Sequence, residues 1–330
     1  MEKNFDKVNS LKAEKAYVSL APHIRSNDSV QRIMLDVIIA LMPAFIGSIY
    51  FFGKRAFILT AVCIATCVLS EYIFQKLMKK DIEIWDLSAV VTGILLAFNL
   101  PATTPIWMAI FGSAFAIIIV KECFGGIGCN FMNPALTARI VLMASWAKKM
   151  TDYMFPDGTT TASAATADAV SSGTPLQMIA KGNFDYLPTL KDMLIGKIGG
   201  VLGETSALLL LIGAVYLLVR RVINWRIPAF YFISLIVMLF ILRIPMDIIP
   251  YEILGGGLFL GAFFMATDYS TTPMNNKGKI IFAIGCGILT ALIRVKASLP
   301  EGVSYSICLM NVATPLIDKL TKTSAYGEAK

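Results

Sequence analysis

The sequence predicts an all-α polytopic membrane protein, with about ten transmembrane helices laid out as two inverted five-helix repeats with broken helices. Three observations predict it. Of 330 residues, 56% are hydrophobic and 15% charged, and the mean hydropathy is +0.69; a soluble domain carries about a quarter charged residues. The apolar residues come in blocks, each close to the roughly 20 residues that cross a bilayer as a helix. The second half of the chain also echoes motifs of the first at matching places.

Residues 1–30 form a polar arm of alternating charge with few large apolar side chains, either a docking segment or a disordered one. The arm has no apolar core of the kind a cleavable signal needs, so none is expected. Spans follow near 31–52, 56–76, 86–100, 106–122 and 130–147, making a first repeat over 31–147. A polar loop rich in Ser, Thr and Ala occupies 148–193. The second repeat covers 194–318, with spans near 194–219, 227–243, 251–267, 279–295 and 302–318, and residues 319–330 form a tail. Several spans are short or broken by Gly and Pro, which is tolerated at membrane depth only where the backbone is buried in protein or lines a cavity.

The net charge of +7 does not point to nucleic acid, because of where it lies. With the N-terminus inside, the arm, the turn holding Lys76, Lys79 and Lys80, and the turn holding Arg220, Arg221 and Arg226 are all cytoplasmic. So are Lys121, Lys277, Lys279, Lys319, Lys322 and Lys330. The short opposite loops hold Lys54, Arg55, Arg243, Arg294 and Lys296. This asymmetry puts both termini in the cytoplasm and the 148–193 loop outside. A multi-pass protein of a bacterial inner membrane, in contact with lipid, is the expectation. Trp85, Trp107, Trp146, Trp225, Tyr216 and Tyr251 fall near span ends, as interfacial aromatics do.

The internal repeat carries the topology. Gly93 to Pro105 echoes Gly257 to Thr267, followed by Thr271, Thr272 and Pro273; Gly126 to Asn133 echoes Gly302 to Asn311. An odd number of spans per half inverts one half relative to the other. In such folds broken helices meet near the midplane, where half-helix N-termini face anions and freed carbonyls face cations.

Carboxylates inside apolar spans need a partner or a role, since one near the bilayer centre costs at least about 2.5–3.5 kcal/mol. Asp36, Glu71, Glu122, Glu204, Asp247, Glu252 and Asp268 lie within or at the edges of spans. Glu71 and Glu204 are deepest, and Asp36 and Glu204 open the first span of each half. Asp36, Glu71 and Glu204 are candidates for a cation path; the alternative is pairing with Lys or Arg of a neighbouring subunit. The six cysteines (Cys63, Cys67, Cys123, Cys129, Cys286 and Cys308) match no standard metal or iron–sulfur spacing, so no metal site is expected. The lone His23 lies in the arm.

Within the polar loop, Asp168-Ala-Val-Ser171-Ser-Gly173-Thr174-Pro175-Leu176 is patterned. It offers a hydroxyl at Thr174, room beside it at Gly173 and a stiff residue after it at Pro175. A second segment, Gly125 to Pro134, holds three glycines followed by Asn130, Asn133 and Pro134 and cannot form a regular helix. It is either a re-entrant turn approaching a ligand or ion, or a tight helix connection. The third is Phe264-Met-Ala-Thr267-Asp268.

These three motifs, in this order and spread over nearly the whole chain, resemble those of the family formed by the Rnf D and Nqr B subunits. The Rnf branch is the closer match, since the Nqr protein is usually longer at its N-terminus. The family usually has Ala where Gly173 stands; a small residue is kept. The resemblance implies that Thr174 carries FMN through a phosphoester, attached by a separate Mg-dependent flavin transferase; Asp168 and Ser171 are residues that such an enzyme could read or that could help position its metal. It implies that Gly126, Asn130, Asn133, Thr267 and Asp268, with Gly173, Pro175 and Leu176, lie around flavin, and that a second, non-covalent flavin such as riboflavin is held deeper. The implied function is electron transfer between ferredoxin and NAD⁺ coupled to Na⁺ or H⁺ translocation, in company with the A, B, C, E and G subunits of an Rnf complex. No residue of this chain is expected to act as a catalytic acid, base or nucleophile. The ferredoxin and NAD⁺ sites belong to those other subunits, as this chain has neither a dinucleotide fingerprint nor an iron–sulfur cysteine run. The rival reading is a solute channel or transporter of the urea and ammonium transporter architecture, which would need no flavin. A third is a membrane anchor that carries no electrons.

Overall fold

Four helices of the computed structural model are long and apolar enough to cross a membrane: Val30–Phe52, Lys54–Leu77, Ile106–Phe124 and Asn276–Lys296. The structure describes residues 29–322 apart from 156–159, 161–173, 181, 183, 185–186, 205 and 298–301. The expectations for residues 1–28, and for Asp168, Ser171 and Gly173, lie outside the described residues. Among the described residues the chain is helical, with isolated bridges such as Pro101 to Val201 and no strand.

Helix α1 (Val30–Phe52) starts at Ser29, whose hydroxyl accepts from the Arg32 N–H, and ends at Gly53, where φ is +68°. Helix α2 (Lys54–Leu77) follows at once. Helix α3 (Ser88–Phe98) is only 11 residues long and almost wholly buried. It packs tightly on α2: a Cβ at Gly93 would lie 2.8 Å from the Ile64 Cα, so only glycine fits. Helix α4 (Ile106–Phe115) runs on through a π-helical stretch, Ala116–Lys121, and a tight turn, Glu122–Phe124. Helix α5 (Pro134–Ser145) is started by Asn133, whose side-chain oxygen accepts from the N–H groups of Ala135 and Leu136, with proline at the first helical position.

The second half is helical as well. Helix α6 is Ala207–Val219 and α7 is Arg226–Ile241. Helix α8 is a short buried piece, Leu258–Leu260, continued as a π-helical stretch Gly261–Met265. Helices α9 (Asn276–Lys296) and α10 (Gly302–Leu320) complete it. Helix α9 packs on α7 and α10, α2 on α3 and α4, and α1 crosses between halves to pack on α6. One large core joins both halves and includes Phe98, Tyr231, Phe264 and Phe282.

Two expected spans are cut short, for the same reason. Over 194–219 the helix begins only at Ala207. Residues 198–204 instead form an irregular segment that pairs with the end of α3: Leu202 N–H donates to the Leu100 carbonyl and Gly203 N–H to that of Phe98, both at 3.0 Å. A Cβ at Gly203 would lie 2.3 Å from the Phe98 Cβ, so this close approach needs glycine. Over 251–267, helix Ile249–Leu254 stops at Gly255–Gly257, where φ is +54° at Gly256 and +43° at Gly257. Freed carbonyls at the breaks are met by arginines. Arg55 donates to the carbonyls of Ala102 (3.2 Å) and Thr104 (3.0 Å), and Arg294 to those of Gly255 (3.2 Å) and Gly256 (2.9 Å). Unpaired, each such carbonyl would cost a free energy comparable to a lost hydrogen bond.

Candidate functional site

The two breaks and α3 define two spaces. Helix α3 runs between them, roughly 17 Å long at 1.5 Å per residue. At its C-terminal end lies a space of about 340 Å³ lined by Thr174, Leu176, Gly199, Gly200, Glu204 and Gly256. Along its N-terminal part lies a larger cavity of about 770 Å³, whose wall includes Leu95, Lys121, Asn130, Asn133, Thr267 and Asp268.

Thr174 is the N-cap of a short helix, Pro175–Ala180. Its Oγ1 accepts from the Gln177 N–H (3.4 Å), and Gln177 Oε1 accepts from the Thr174 N–H (3.3 Å). This reciprocal arrangement is a capping box, with proline at the first helical position. Leu176 is buried and packs against Gly255, which anchors the helix over the second break. Thr174 itself is half-buried at the lip of the smaller space.

Beneath it, the Glu204 carboxylate is paired with Arg139 at 2.8 Å, both buried. The same Arg139 nitrogen donates to the Asn99 Oδ1. Asn99 Nδ2 donates to the Leu95 carbonyl (2.6 Å), and Leu95 lines the larger cavity. A polar thread of Glu204, Arg139 and Asn99 therefore runs through the apolar core from one space towards the other. Tyr153 is buried beside the Arg139–Glu204 pair, and burial pushes its hydroxyl pKa up.

The larger cavity is walled by apolar side chains of α1, α3, α6 and the π-helical stretch after α8, with polar groups at its rim. Asn133 spends its oxygen on capping α5, and its nitrogen faces the Met265 carbonyl at 3.5 Å. Asn311 of α10, with its amide turned to suit its partners, accepts from the Asn133 N–H and donates to the Thr271 carbonyl, both at 3.2 Å. The two asparagines of the repeated motif thus meet. Thr267 donates back to the Phe263 carbonyl (2.7 Å). Asp268 is held in its own loop by the hydroxyls of Ser270 (3.0 Å) and Thr271 (3.3 Å). Burial pushes its carboxyl pKa up, against those hydrogen bonds.

The Gly125–Pro134 segment interrupts the helices, as its glycines predict. It is a tight connection, with φ of +120°, +93° and +83° at Gly125, Gly126 and Gly128, and it also brings Ile127 and Asn130 to the cavity wall. Gly126 lies apart from the other candidates, in a polar cleft with Gln75, Lys80 and Glu122.

A family model described as NQR2, RnfD, RnfE matches residues 17–327. The chain belongs to that family. It is 49% identical over 315 residues to the D subunit of the Na(+)-translocating ferredoxin:NAD(+) oxidoreductase complex of Acetobacterium woodii, covering 95% of this chain and 96% of that protein. It is 41% identical to the D subunit of the proton-translocating ferredoxin:NAD(+) oxidoreductase complex of Clostridium ljungdahlii, covering 94% and 96%. It is 37% identical to the D subunit of the ion-translocating oxidoreductase complex of Stutzerimonas stutzeri, covering 91% and 92%.

Within this family fold, the structure brings Asn130, Asn133, Thr267 and Asp268 to one cavity and Thr174, Pro175, Leu176 and Glu204 to another space. Asp36 and Glu71 line neither. Asp36 accepts from Tyr216 (2.8 Å) and Arg220 (3.1 Å), and Glu71 pairs with Lys121 at 2.7 Å. Within this chain, Arg220, Lys121 and Arg139 pair with Asp36, Glu71 and Glu204. Sequence reasoning missed Arg139 altogether and placed Lys121 and Arg294 at the water interface. All three are buried. A single cation inside an apolar run is the signal that finds them.

Proposed function

We propose that this chain is the D subunit of an Rnf-type, ion-translocating ferredoxin:NAD⁺ oxidoreductase complex, built as ten spanning segments in two inverted five-helix repeats. It carries FMN on Thr174 and a second flavin, without a covalent bond, in the larger cavity. The observation that carries this reading is the setting of Thr174. Among the described residues its Oγ1 accepts from Gln177, a hydrogen bond that a phosphoester there would keep, and the hydroxyl stands at the lip of a space opening on the polar thread.

The larger cavity suits a flat ring with polar edges. Its walls combine apolar side chains from several helices with a set of polar groups that includes Lys121, Asn130 and Asn133. Bound flavins supply reversible uptake and release of electrons. The chain's own part is to place them. Leu176 and the capping box fix the Thr174 end, Asn133 and Asn311 clamp the broken helices, and the buried core keeps water from the route between. The Arg139–Glu204 pair and Asn99 give that route fixed dipoles in a low-dielectric setting.

Maturation requires a flavin transferase, and the ferredoxin and NAD⁺ chemistry falls to the A, B, C, E and G subunits. The protein sits in the bacterial cell membrane with the Thr174 end outside. Na⁺ or H⁺ crosses as electrons pass.

The test is direct. The protein is produced with the flavin transferase, denatured, and inspected for flavin fluorescence on the gel, with the labelled peptide mapped by mass spectrometry. Fluorescence that survives denaturation and vanishes in Thr174→Ala is expected. A colourless, unmodified peptide alongside an active transferase would overturn the reading in favour of a transporter or anchor.

A further inference from the structure

A second buried polar cluster lies at the far end of α3 from Thr174, and the thread just described does not use it. Lys121, at the end of the π-helical stretch, is 3% exposed. Its Nζ donates to the Glu71 Oε1 at 2.7 Å and to the Ser88 Oγ at 2.6 Å. Lys121 and Ser88 both line the larger cavity; Glu71 does not. Gln75 donates from one nitrogen to both Glu71 Oε1 (3.3 Å) and Glu122 Oε1 (3.2 Å). Gln75 and Glu122 in turn line a polar cleft of about 660 Å³ together with Lys79, Lys80, Asp81 and Glu83. Glu71 therefore stands between a cavity and a cleft and is separated from each by one side chain. Its second oxygen, Oε2, is buried and has no hydrogen-bond partner.

We infer that Lys121 is a redox-sensitive switch and that Glu71 is the proton site it controls. The argument rests on the reading that the larger cavity holds a redox-active ring. One ammonium is shared between two claims, the Glu71 carboxylate and whatever negative charge appears in the cavity. In a low-dielectric site neither charge is left alone without penalty. An electron delivered by the redox partner adds one negative charge to the cavity. Lys121, on a flexible four-carbon stem, turns towards it and leaves Glu71 unpaired.

Glu71 then takes one proton from the water of the cleft, past Glu122 and Gln75, and forms an O–H bond at Oε2. One electron and one proton have entered, so the net charge of the region is unchanged. Departure of the electron returns Lys121 to Glu71, and the O–H bond breaks to release the proton. The charged groups that face Glu71 are Lys121 and Glu122 from the stretch after α4 and Asp86 from the turn before α3, with the thiol of Cys67 one helical turn away on α2. Asp86 is engaged by the Ser88 hydroxyl at 2.7 Å and Glu122 faces Lys80 at 3.7 Å, which leaves Glu71 as the carboxylate whose paired cation, Lys121, also lines the cavity.

The test uses the purified complex. Redox-difference infrared spectra are recorded on the parent, Glu71→Gln, Lys121→Met and Lys121→Arg, and acid-extractable flavin is quantified in each. Reduction of the parent is expected to produce the C=O stretch of a protonated carboxyl. That band should be lost in Glu71→Gln and in Lys121→Met, and kept in Lys121→Arg; extractable flavin should be retained in Glu71→Gln, whose side chain does not line the cavity, and the bands of the Lys121 variants are scaled to their flavin content. Gln75→Leu, which leaves the ion pair intact, should slow the appearance of the band several-fold without abolishing it. A band that persists in Glu71→Gln, or no band in a parent that contains the extractable flavin, overturns the switch alone. A parent complex with no extractable flavin attributable to this chain overturns the cavity reading and the switch with it.

Discussion

The two ends of α3 hold their candidate ligands in opposite ways. At the Thr174 end the space is small, about 340 Å³, and its lip is a six-residue helix carried on a loop. At the Lys121 end the cavity is about 770 Å³ and is walled by helices from both halves of the chain. One end therefore offers a single hydroxyl on a short capped helix, and the other a wall of apolar and polar side chains drawn from several helices. On the proposed reading, the first suits attachment through one residue and the second suits retention by many contacts.

Variants can break or sharpen that contrast. The largest effect is expected for Thr174→Ala: all covalently attached flavin is lost from this chain, while acid-extractable flavin is retained. Loss of both together would show that the sites are not independent. Next comes Arg139→Met. It leaves Glu204 buried without its cation, which costs about 3–5 kcal/mol and should lower the thermal inactivation temperature of the complex markedly. Glu204→Gln, which keeps a hydrogen-bond acceptor beside Arg139, should cost less, and equal loss in both would argue against an ion pair.

Asn133→Ala removes the side-chain cap of α5 and the amide that faces the Met265 carbonyl. A loss of about 1–2 kcal/mol is expected, with extractable flavin reduced and covalent flavin unchanged on a denaturing gel. The smallest effect is expected for Gln177→Ala. It removes half of the capping box at a cost of about 0.5–1 kcal/mol, seen as faster proteolysis near Thr174 with flavin attachment retained.

Most of the helical order was legible because hydropathy is summed over long windows and survives local irregularity. Thr174 stands out in the sequence through its neighbours, although the capping box formed with Gln177 went unread. That box is itself a sequence pattern, Thr174-Pro175-Leu176-Gln177. The start of α6 was misplaced because Ile198, Val201 and Leu202 are as apolar as a span; only Gly199, Gly200 and Gly203 tell against a helix there. Lys121 and Arg294 were assigned to the interface since both lie near span ends in sequence, and burial depends on which helices stand in front of them. Gly126 and Asn130, four residues apart, face different spaces, because three glycines with positive φ turn the chain between them.

The π-helical stretches have a consequence for how this protein tolerates insertions and deletions. The one after α8 is marked by the Ala266 N–H donating to the Gly261 carbonyl five residues back, at 2.7 Å. Each such stretch holds one residue more than an α-helix of the same path, so deleting a single residue would heal it into ordinary helix. Every side chain downstream would then swing by about 100°. In Ala116–Lys121 that rotation would carry Lys121 off its carboxylate, with almost no change in composition or hydropathy. A deletion that looks silent to any average over the chain would therefore remove one of its most consequential contacts.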